Sequence, residues 1–120
     1  MQCGVDISKI DRFEKLFKDD KFIKKYFTAN EVEYINSKRN KVQTLAGLFS
    51  AKEAFLKALG IGIGAGLDLL DICISHNNQG MPQIEITPKI QYYISKIGAN
   101  DVSVSISHDG DYAIAFCTVA

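Results

Sequence analysis

One long helix-forming segment constrains the fold of this chain more than any other feature. Good helix formers (Ala, Leu, Lys and Glu) run from Val42 to Leu59, and Gly60 follows as a stop signal. At about 100° per residue, the large apolar side chains of this segment form one stripe. The stripe consists of Leu45, Phe49, Leu56 and Leu59. Such a stripe must be buried, so the rest of the chain has to supply a layer for the helix to pack on.

Alternating segments near both ends of the chain predict that layer. Residues 2–7 alternate Cys3, Val5 and Ile7 with Gln2, Gly4 and Asp6, as a strand does. Two further alternating runs flank the sequence HDGD at residues 108–111 and predict a β-hairpin. Their apolar residues are Val102, Val104, Ile106, Ile114 and Phe116.

The intervening residues predict three more helices and two more strands. One apolar face, made by Ile10, Phe13, Leu16 and Phe17, predicts a helix that starts at Ser8. Thr28 and Glu31 have the spacing of a capping box, which predicts a helix through about Lys38. Thr87 and Pro88 begin another helix, which Gly98 ends.

Two strands are predicted over residues 69–75 and 83–87, joined by the turn NNQGMP. A flexible, glycine-rich connection is predicted over residues 60–66. This order predicts an α+β fold, with a mainly antiparallel sheet packed against a long central helix. The length of 120 residues suits one domain over residues 1–120.

The composition narrows the class of protein. Lys plus Arg and Asp plus Glu each number 14, and this balance argues against a general nucleic-acid binder. No apolar stretch approaches the roughly 18 residues of a membrane span, and the first residues lack a signal-peptide layout. The three cysteines have the spacing of neither a zinc site nor a disulfide framework. We therefore expect a cytoplasmic protein without membrane or nucleic-acid partners.

The charges are distributed unevenly along the chain. Residues 8–41 contain ten basic and six acidic side chains, whereas the remainder contains four basic and eight acidic ones. Such a field would steer an acidic partner to the N-terminal third. The solvated faces of Lys- and Glu-rich helices would produce the same count, and composition alone leaves both interpretations open.

Asp6 is the first candidate for chemistry. It lies inside an apolar strand, next but one to Gly4 and just before a predicted helix. A buried carboxylate is costly unless it is paired or bound to a metal ion. A cap for the first helix is the alternative role.

The central helix carries the second candidate. Glu53 and Lys57 are four residues apart, beside the small residues Ala46 and Ser50, which leave room for a ligand. An ordinary Glu–Lys pair on a helix surface is the alternative interpretation. Lys52 falls within the apolar stripe, which is unusual for a lysine unless its long stem reaches solvent.

The third candidate is His108, at the end of a predicted strand whose serines share one face: Ser103, Ser105 and Ser107. A hydrolase triad is disfavoured because no GxSxG motif is present. His108 would instead suit hydrogen bonding to a phosphate. His76, beside Asn77 and Asn78, is interpreted as a turn residue, and the glycines of residues 60–66 match neither a P-loop nor a Rossmann motif.

Taken together, four segments resemble the holo-acyl-carrier-protein synthase family of small phosphopantetheinyl transferases. In chain order they are GVDI, LAGLFSAKEAFLKALGIGIG, GMPQI and VSVSISHDGDYAIAFCTV. The resemblance implies transfer of 4′-phosphopantetheine from coenzyme A to a serine of apo acyl carrier protein, with release of adenosine 3′,5′-bisphosphate. The nucleophile would then belong to the partner protein.

The resemblance also implies roles for individual residues. Asp6 and Glu53 would hold Mg²⁺, and Lys57 would contact the phosphates and belong, with Glu53, to the catalytic set. Glu53, directly or through a metal-bound water, would activate the serine hydroxyl. Arg12 would dock the acidic carrier protein, which favours the steering interpretation of the charge distribution.

For coenzyme A itself, the resemblance implies contacts from His108, Gly80 and Pro82. Leu48 departs from the family pattern, in which a basic residue contributes to phosphate binding, and Arg39 or Lys41 would supply the missing charge. Relatives form homotrimers with coenzyme A bound between protomers, and a small core suits that assembly.

A non-catalytic carrier-protein or nucleotide-binding module is the alternative function. A transferase that serves a polyketide or peptide synthase carrier is a second alternative, which the short chain disfavours.

Overall fold

A computed structural model describes residues 1–62 and 64–120 of the chain. The strands are β1 (Gln2–Lys9), β2 (Ile74–His76), β3 (Pro82–Ile84), β4 (Val102–Asp109) and β5 (Tyr112–Val119). The α-helices are α1 (Phe13–Phe17), α2 (Asp20–Tyr26), α3 (Ala29–Asn36), α4 (Lys41–Leu59) and α5 (Pro88–Lys96). Two 3₁₀ turns, at Ile10–Arg12 and Leu69–Asp71, complete the described elements.

The predicted α+β architecture is confirmed. β1, β5 and β4 form an antiparallel sheet in that order, with Gly4 and Val104 both opposite Cys117. β2 and β3 form a separate antiparallel pair. α4 packs across the inner face of the three-stranded sheet and buries the predicted stripe, although Phe49 remains half-buried at its edge.

β1 lies unusually close to α4. A Cβ atom on Gly4 would come within 2.1 Å of the Ala54 carbonyl oxygen and 2.5 Å of the Ala58 nitrogen. Because the strand rests on helix backbone, only small or polar residues fit on its inner face. Its apolar residues therefore point outwards, and Val5 and Ile7 are 50% and 61% exposed.

The local signals for helix ends are confirmed. Thr28 and Glu31 form a reciprocal capping box at the start of α3, and the Thr87 hydroxyl accepts a hydrogen bond from the Ile90 amide in α5. Gly60 ends α4 with a φ of 73°, which a glycine adopts without strain. The connection predicted over residues 60–66 includes Ile63, which lies outside the described residues.

Three element predictions need correction. The helix predicted from Ser8 begins only at Ile10, because β1 pairs with β5 through Lys9, and the separate helix α2 was not predicted. Residues 69–71 form a 3₁₀ turn instead of a strand, since the Asp71 side chain accepts a hydrogen bond from the Asp68 amide at 2.9 Å. The strand predicted over residues 83–87 is shorter, because Thr87 caps α5.

None of the described helices combines the length and the hydropathy needed to cross a lipid bilayer.

Candidate active site

Asp6 and Lys57 meet where β1 crosses the last turns of α4. The Lys57 Nζ atom donates hydrogen bonds to Asp6 Oδ1 and to the Val5 carbonyl oxygen, each at 3.1 Å. Lys57 thus pairs with the strand instead of forming the surface pair with Glu53 that the sequence left open. Asp6 does not cap the helical segment that follows, because neither the 3₁₀ turn nor α1 has a side-chain cap.

Glu53 lies one turn before Lys57 and is half-buried. Burial is the main reason that the pKa of Glu53 is raised above its usual value, and the nearby negative charge of Asp6 adds to the effect. The positive charges of Lys57 and Arg12 oppose it. The charges of three other residues singled out from the sequence (Asp6, Arg12 and Lys57) therefore act on Glu53.

Two serines that the sequence analysis did not single out as site residues lie between β1 and α4, next to Asp6. The Ser8 hydroxyl donates to Asp6 Oδ2 at 3.3 Å and lies 2.6 Å from the Ser50 hydroxyl, and both serines are buried. The sequence does contain a signal for Ser8, since it follows Asp6 by two residues and therefore shares its strand face. For Ser50 the sequence indicates only a small side chain beside Glu53.

The site's donor chemistry fits Mg²⁺. Asp6 and Glu53 present carboxylate oxygens, the ligands that this cation prefers, and it commonly keeps several water or phosphate ligands as well. Within residues 1–62 and 64–120, no group of three or more His, Cys, Asp or Glu side chains could hold a metal ion. Two carboxylates would leave coordination positions free for phosphate oxygens.

An apolar groove of about 430 Å³ opens beside Glu53, between α2, α4 and the turn at Leu69–Asp71. Its walls include the side chains of Phe22, Tyr26, Phe49, Leu56 and Leu69, and Lys25 also lines it. The Arg12 guanidinium lies 5.8 Å from the centre of the Phe49 ring. A basic residue and an apolar surface therefore adjoin the Glu53 carboxylate.

A second cleft, of about 180 Å³, gathers His108, Gly80 and Pro82 near the start of α4. His108 packs against Gly47, where a Cβ atom would come within 2.9 Å of its Nε2 atom. Burial lowers the pKa of His108 below its usual value. Leu48 lines the same cleft and supplies no charge.

His76 has a larger role than that of a turn residue. Its ring stacks on Tyr34, with centroids 3.7 Å apart and planes within 10°, and both rings line the second cleft. Burial, and to a smaller degree the charge of Lys38, lower the pKa of His76. The separation of 42 residues between the two rings hides this pair from sequence patterns.

The structure does not bring every predicted residue into one place. Gly47 and Lys57 are ten residues apart on α4, so the second cleft lies roughly 15 Å along the helix from Lys57. Arg39 is exposed and outside the cleft lining, and Lys41 Nζ donates to the Lys38 carbonyl oxygen at 3.1 Å. The serines of β4 (Ser103, Ser105 and Ser107) are exposed on the outer sheet face.

The combination of this fold with this site matches a known family. The model of the 4′-phosphopantetheinyl transferase superfamily matches residues 2–117, and the chain belongs to that superfamily.

Within it, the similar curated proteins are holo-[acyl-carrier-protein] synthases. The enzyme of Thermoanaerobacter sp. (strain X514) is 42% identical over 118 residues, which cover 98% of this chain and 84% of that protein. The enzyme of Campylobacter hominis is 43% identical over 116 residues, which cover 93% of this chain and 91% of that protein.

Solved structures of the same kind of enzyme superpose over nearly the whole chain. Helicobacter pylori holo-[acyl-carrier-protein] synthase in complex with coenzyme A has a TM-score of 0.86 and 36% identity, covering 98% of this chain and 99% of that chain. The Neisseria meningitidis enzyme has a TM-score of 0.88 and 30% identity, covering 99% and 97%.

Proposed function

We infer that this chain is an enzyme that transfers the 4′-phosphopantetheine group of coenzyme A to a serine of apo acyl carrier protein, in fatty acid biosynthesis. Adenosine 3′,5′-bisphosphate is the second product. The observation that carries this conclusion is the meeting of Asp6, Glu53 and Lys57 at one strand–helix crossing in a member of the transferase superfamily. The names of the similar synthases supply the substrates.

Asp6 and Glu53 would hold Mg²⁺ against the diphosphate of coenzyme A. When bound, this ion neutralises charge on the reacting and leaving phosphates. Lys57, whose side chain is more than half exposed beside Asp6, adds a second positive charge that the diphosphate can reach. The Ser8 hydroxyl keeps Asp6 oriented through its hydrogen bond.

Glu53 is our candidate for the general base. Its raised pKa brings it nearer to the range in which a carboxylate accepts a proton effectively. The serine oxygen of the carrier forms a bond to the phosphorus that bears pantetheine, and the bond from that phosphorus to the bridging oxygen breaks. The hydroxyl proton passes to Glu53, directly or through a water, and the electron pair leaves with adenosine bisphosphate.

The carrier protein reaches Glu53 over the groove between α2 and α4. The acceptor serine is part of a protein, so it can approach only over an open face that leads directly to Glu53. This groove is such a face. Arg12 and Lys25 at the groove suit the acidic surface of the partner. The uneven charge of the chain supports the same direction of approach.

We assign the adenosine end of coenzyme A to the second cleft. His108 there can donate to a phosphate, and Gly80 and Pro82 lie beside it, as the resemblance implies. Arg39, on the neighbouring connection between α3 and α4, remains our candidate for the charge that Leu48 lacks. The distance along α4 between this cleft and Lys57 leaves room for a neighbouring protomer to complete the binding surface.

We further propose that the protein is a homotrimer, the assembly that the resemblance implies. The outer sheet face supports self-association, since Val5 lies opposite Phe116, Ile7 lies opposite Ile114, and all four are at least 40% exposed. We place the reaction in the cytoplasm, and the free thiols of Cys3, Cys73 and Cys117 suit a reducing compartment.

The test is the intact mass of apo acyl carrier protein after incubation with this protein, coenzyme A and Mg²⁺. A gain of one phosphopantetheine group is expected. Binding of coenzyme A without any gain in carrier mass would instead support the non-catalytic module and overturn the proposed function.

A further inference from the structure

Lys52 is a buried lysine that the proposed chemistry does not use. Its side chain is wholly inaccessible to solvent, and its Nζ atom lies 4.6 Å from the centre of the Phe27 ring. Nζ donates to Glu31 Oε1 at 2.7 Å, to the Tyr26 carbonyl oxygen at 2.6 Å and to the Leu69 carbonyl oxygen at 3.1 Å. All three of its protons are therefore used.

Glu31 completes the cluster from the other side. Its Oε1 atom also accepts from the Thr28 amide at 2.9 Å, and its Oε2 atom accepts from the Ile74 amide at 2.8 Å. No buried side-chain nitrogen or oxygen lacks a partner in the part of the chain that the structure describes. The Glu31–Lys52 pair thus joins α3 and α4 to three other segments: the end of α2, the turn at residues 69–71, and β2.

Two of these connections end at the groove beside Glu53. Tyr26 and Leu69 both line it, together with Glu53, the residue that follows Lys52 on α4. Lys52 binds the carbonyl oxygens of both, so a single ammonium group ties the two walls to each other and to the helix turn that presents Glu53. Loss of this group would free both walls at once.

Stability alone is a weak explanation for such a pair. A buried ion pair pays a large desolvation cost, and apolar residues of similar volume often replace one without loss of stability. Burial here also lowers the pKa of Lys52, although the charge of Glu31 opposes that effect. An apolar pair would fill the same space but could not hold two carbonyl oxygens.

We propose that Lys52, paired with Glu31, is a positioning residue that sets the geometry of the groove and so controls docking of the carrier protein. This inference rests on the proposed function. It assigns Lys52 no direct contact with coenzyme A, because its side chain is wholly inaccessible to solvent.

The test compares steady-state kinetics of the wild type, Lys52→Met and the double variant Glu31→Met/Lys52→Met. The single variant leaves a buried carboxylate unpaired, and loss of folding there would not bear on docking. The double variant removes both charges, and we expect it to fold with a lower thermal midpoint than the wild type, because the Thr28 and Ile74 amides and the Tyr26 and Leu69 carbonyl oxygens lose their side-chain partners. All kinetics are therefore measured below that midpoint. Lys96→Met, on α5 and outside both cavities, is the matched control.

For the folded double variant we expect the KM for apo acyl carrier protein to rise about tenfold or more, while the KM for coenzyme A stays within about twofold. The control should change neither. An unchanged KM for the carrier in the folded double variant, or equal rises for both substrates, would overturn the positioning role. If the wild type itself transfers nothing in this assay, the proposed function fails, and this inference fails with it.

Discussion

Gly4 lies against the Ala54 carbonyl oxygen so closely that a Cβ atom on the glycine would come within 2.1 Å of it. This contact holds β1 directly on the backbone of α4. Asp6 follows two residues later on the same strand face, and Lys57 follows Ala54 by about one helix turn. The close approach therefore sets the 3.1 Å hydrogen bond between Lys57 and Asp6.

Gly4→Ala is expected to destabilise the protein strongly. The new methyl group would meet backbone atoms that cannot rotate away, and overpacking of this kind costs about 1–3 kcal/mol or more. Chemical denaturation measures the free energy of unfolding. Gly62→Ala is the matched control, because a Cβ atom there meets nothing within 4 Å. Equal stability of the two variants would contradict the close packing of β1 on α4.

Arg12→Glu is expected to raise the KM for apo acyl carrier protein while leaving that for coenzyme A nearly unchanged. A charge at the rim of an interface governs docking more than it governs a separate nucleotide cleft. The effect should shrink as salt is added, because exposed charges are screened. Lys96→Glu makes the same change of charge on α5 and serves as the control. An unchanged KM for the carrier at low salt would refute the role of Arg12.

Phe116→Lys is expected to dissociate the proposed homotrimer. Phe116 is 47% exposed on the outer sheet face, where it lies opposite Val5, and a charge there would oppose burial of this face against another copy. Sedimentation equilibrium gives the assembly state, and calorimetry gives the affinity for coenzyme A, which should fall with dissociation. Tyr92→Lys is the control, since Tyr92 is 59% exposed on α5.

A wild-type protein that is monomeric and fully active at nanomolar concentration would contradict both the trimer and the shared binding cleft.

The predictable parts of this fold are those with local causes. α4 and Gly60 follow from helix propensity and a left-handed cap, and α3 follows from the capping box of Thr28 and Glu31. Alternation did not reveal which face of β1 packs on α4, because this packing depends on Gly4 having no side chain. Alternation alone cannot say that apolar Val5 and Ile7 point outwards.

The site residues likewise divide into those that local patterns reveal and those that depend on contacts between distant segments. The placement of Asp6 beside Lys57 spans 51 residues, and the spacing within either segment does not imply it; the family resemblance brought them together. The sequence marks Lys52 as a lysine in an apolar stripe, but it marks its partner Glu31 only as part of a helix cap. Contacts between distant segments are the part that local patterns leave out.

We propose that Asp6 and Glu53 serve one Mg²⁺. Turnover measured against Mg²⁺ concentration for Asp6→Asn, Glu53→Gln and the double variant tests it most directly, with thermal midpoints to establish folding. Each single variant should lose orders of magnitude in rate with little loss of stability. The double variant should be scarcely worse than the worse single one, because residues that act as a unit are not additive. Wild-type rates in either single variant, or additive losses in the double variant, would contradict a shared ion.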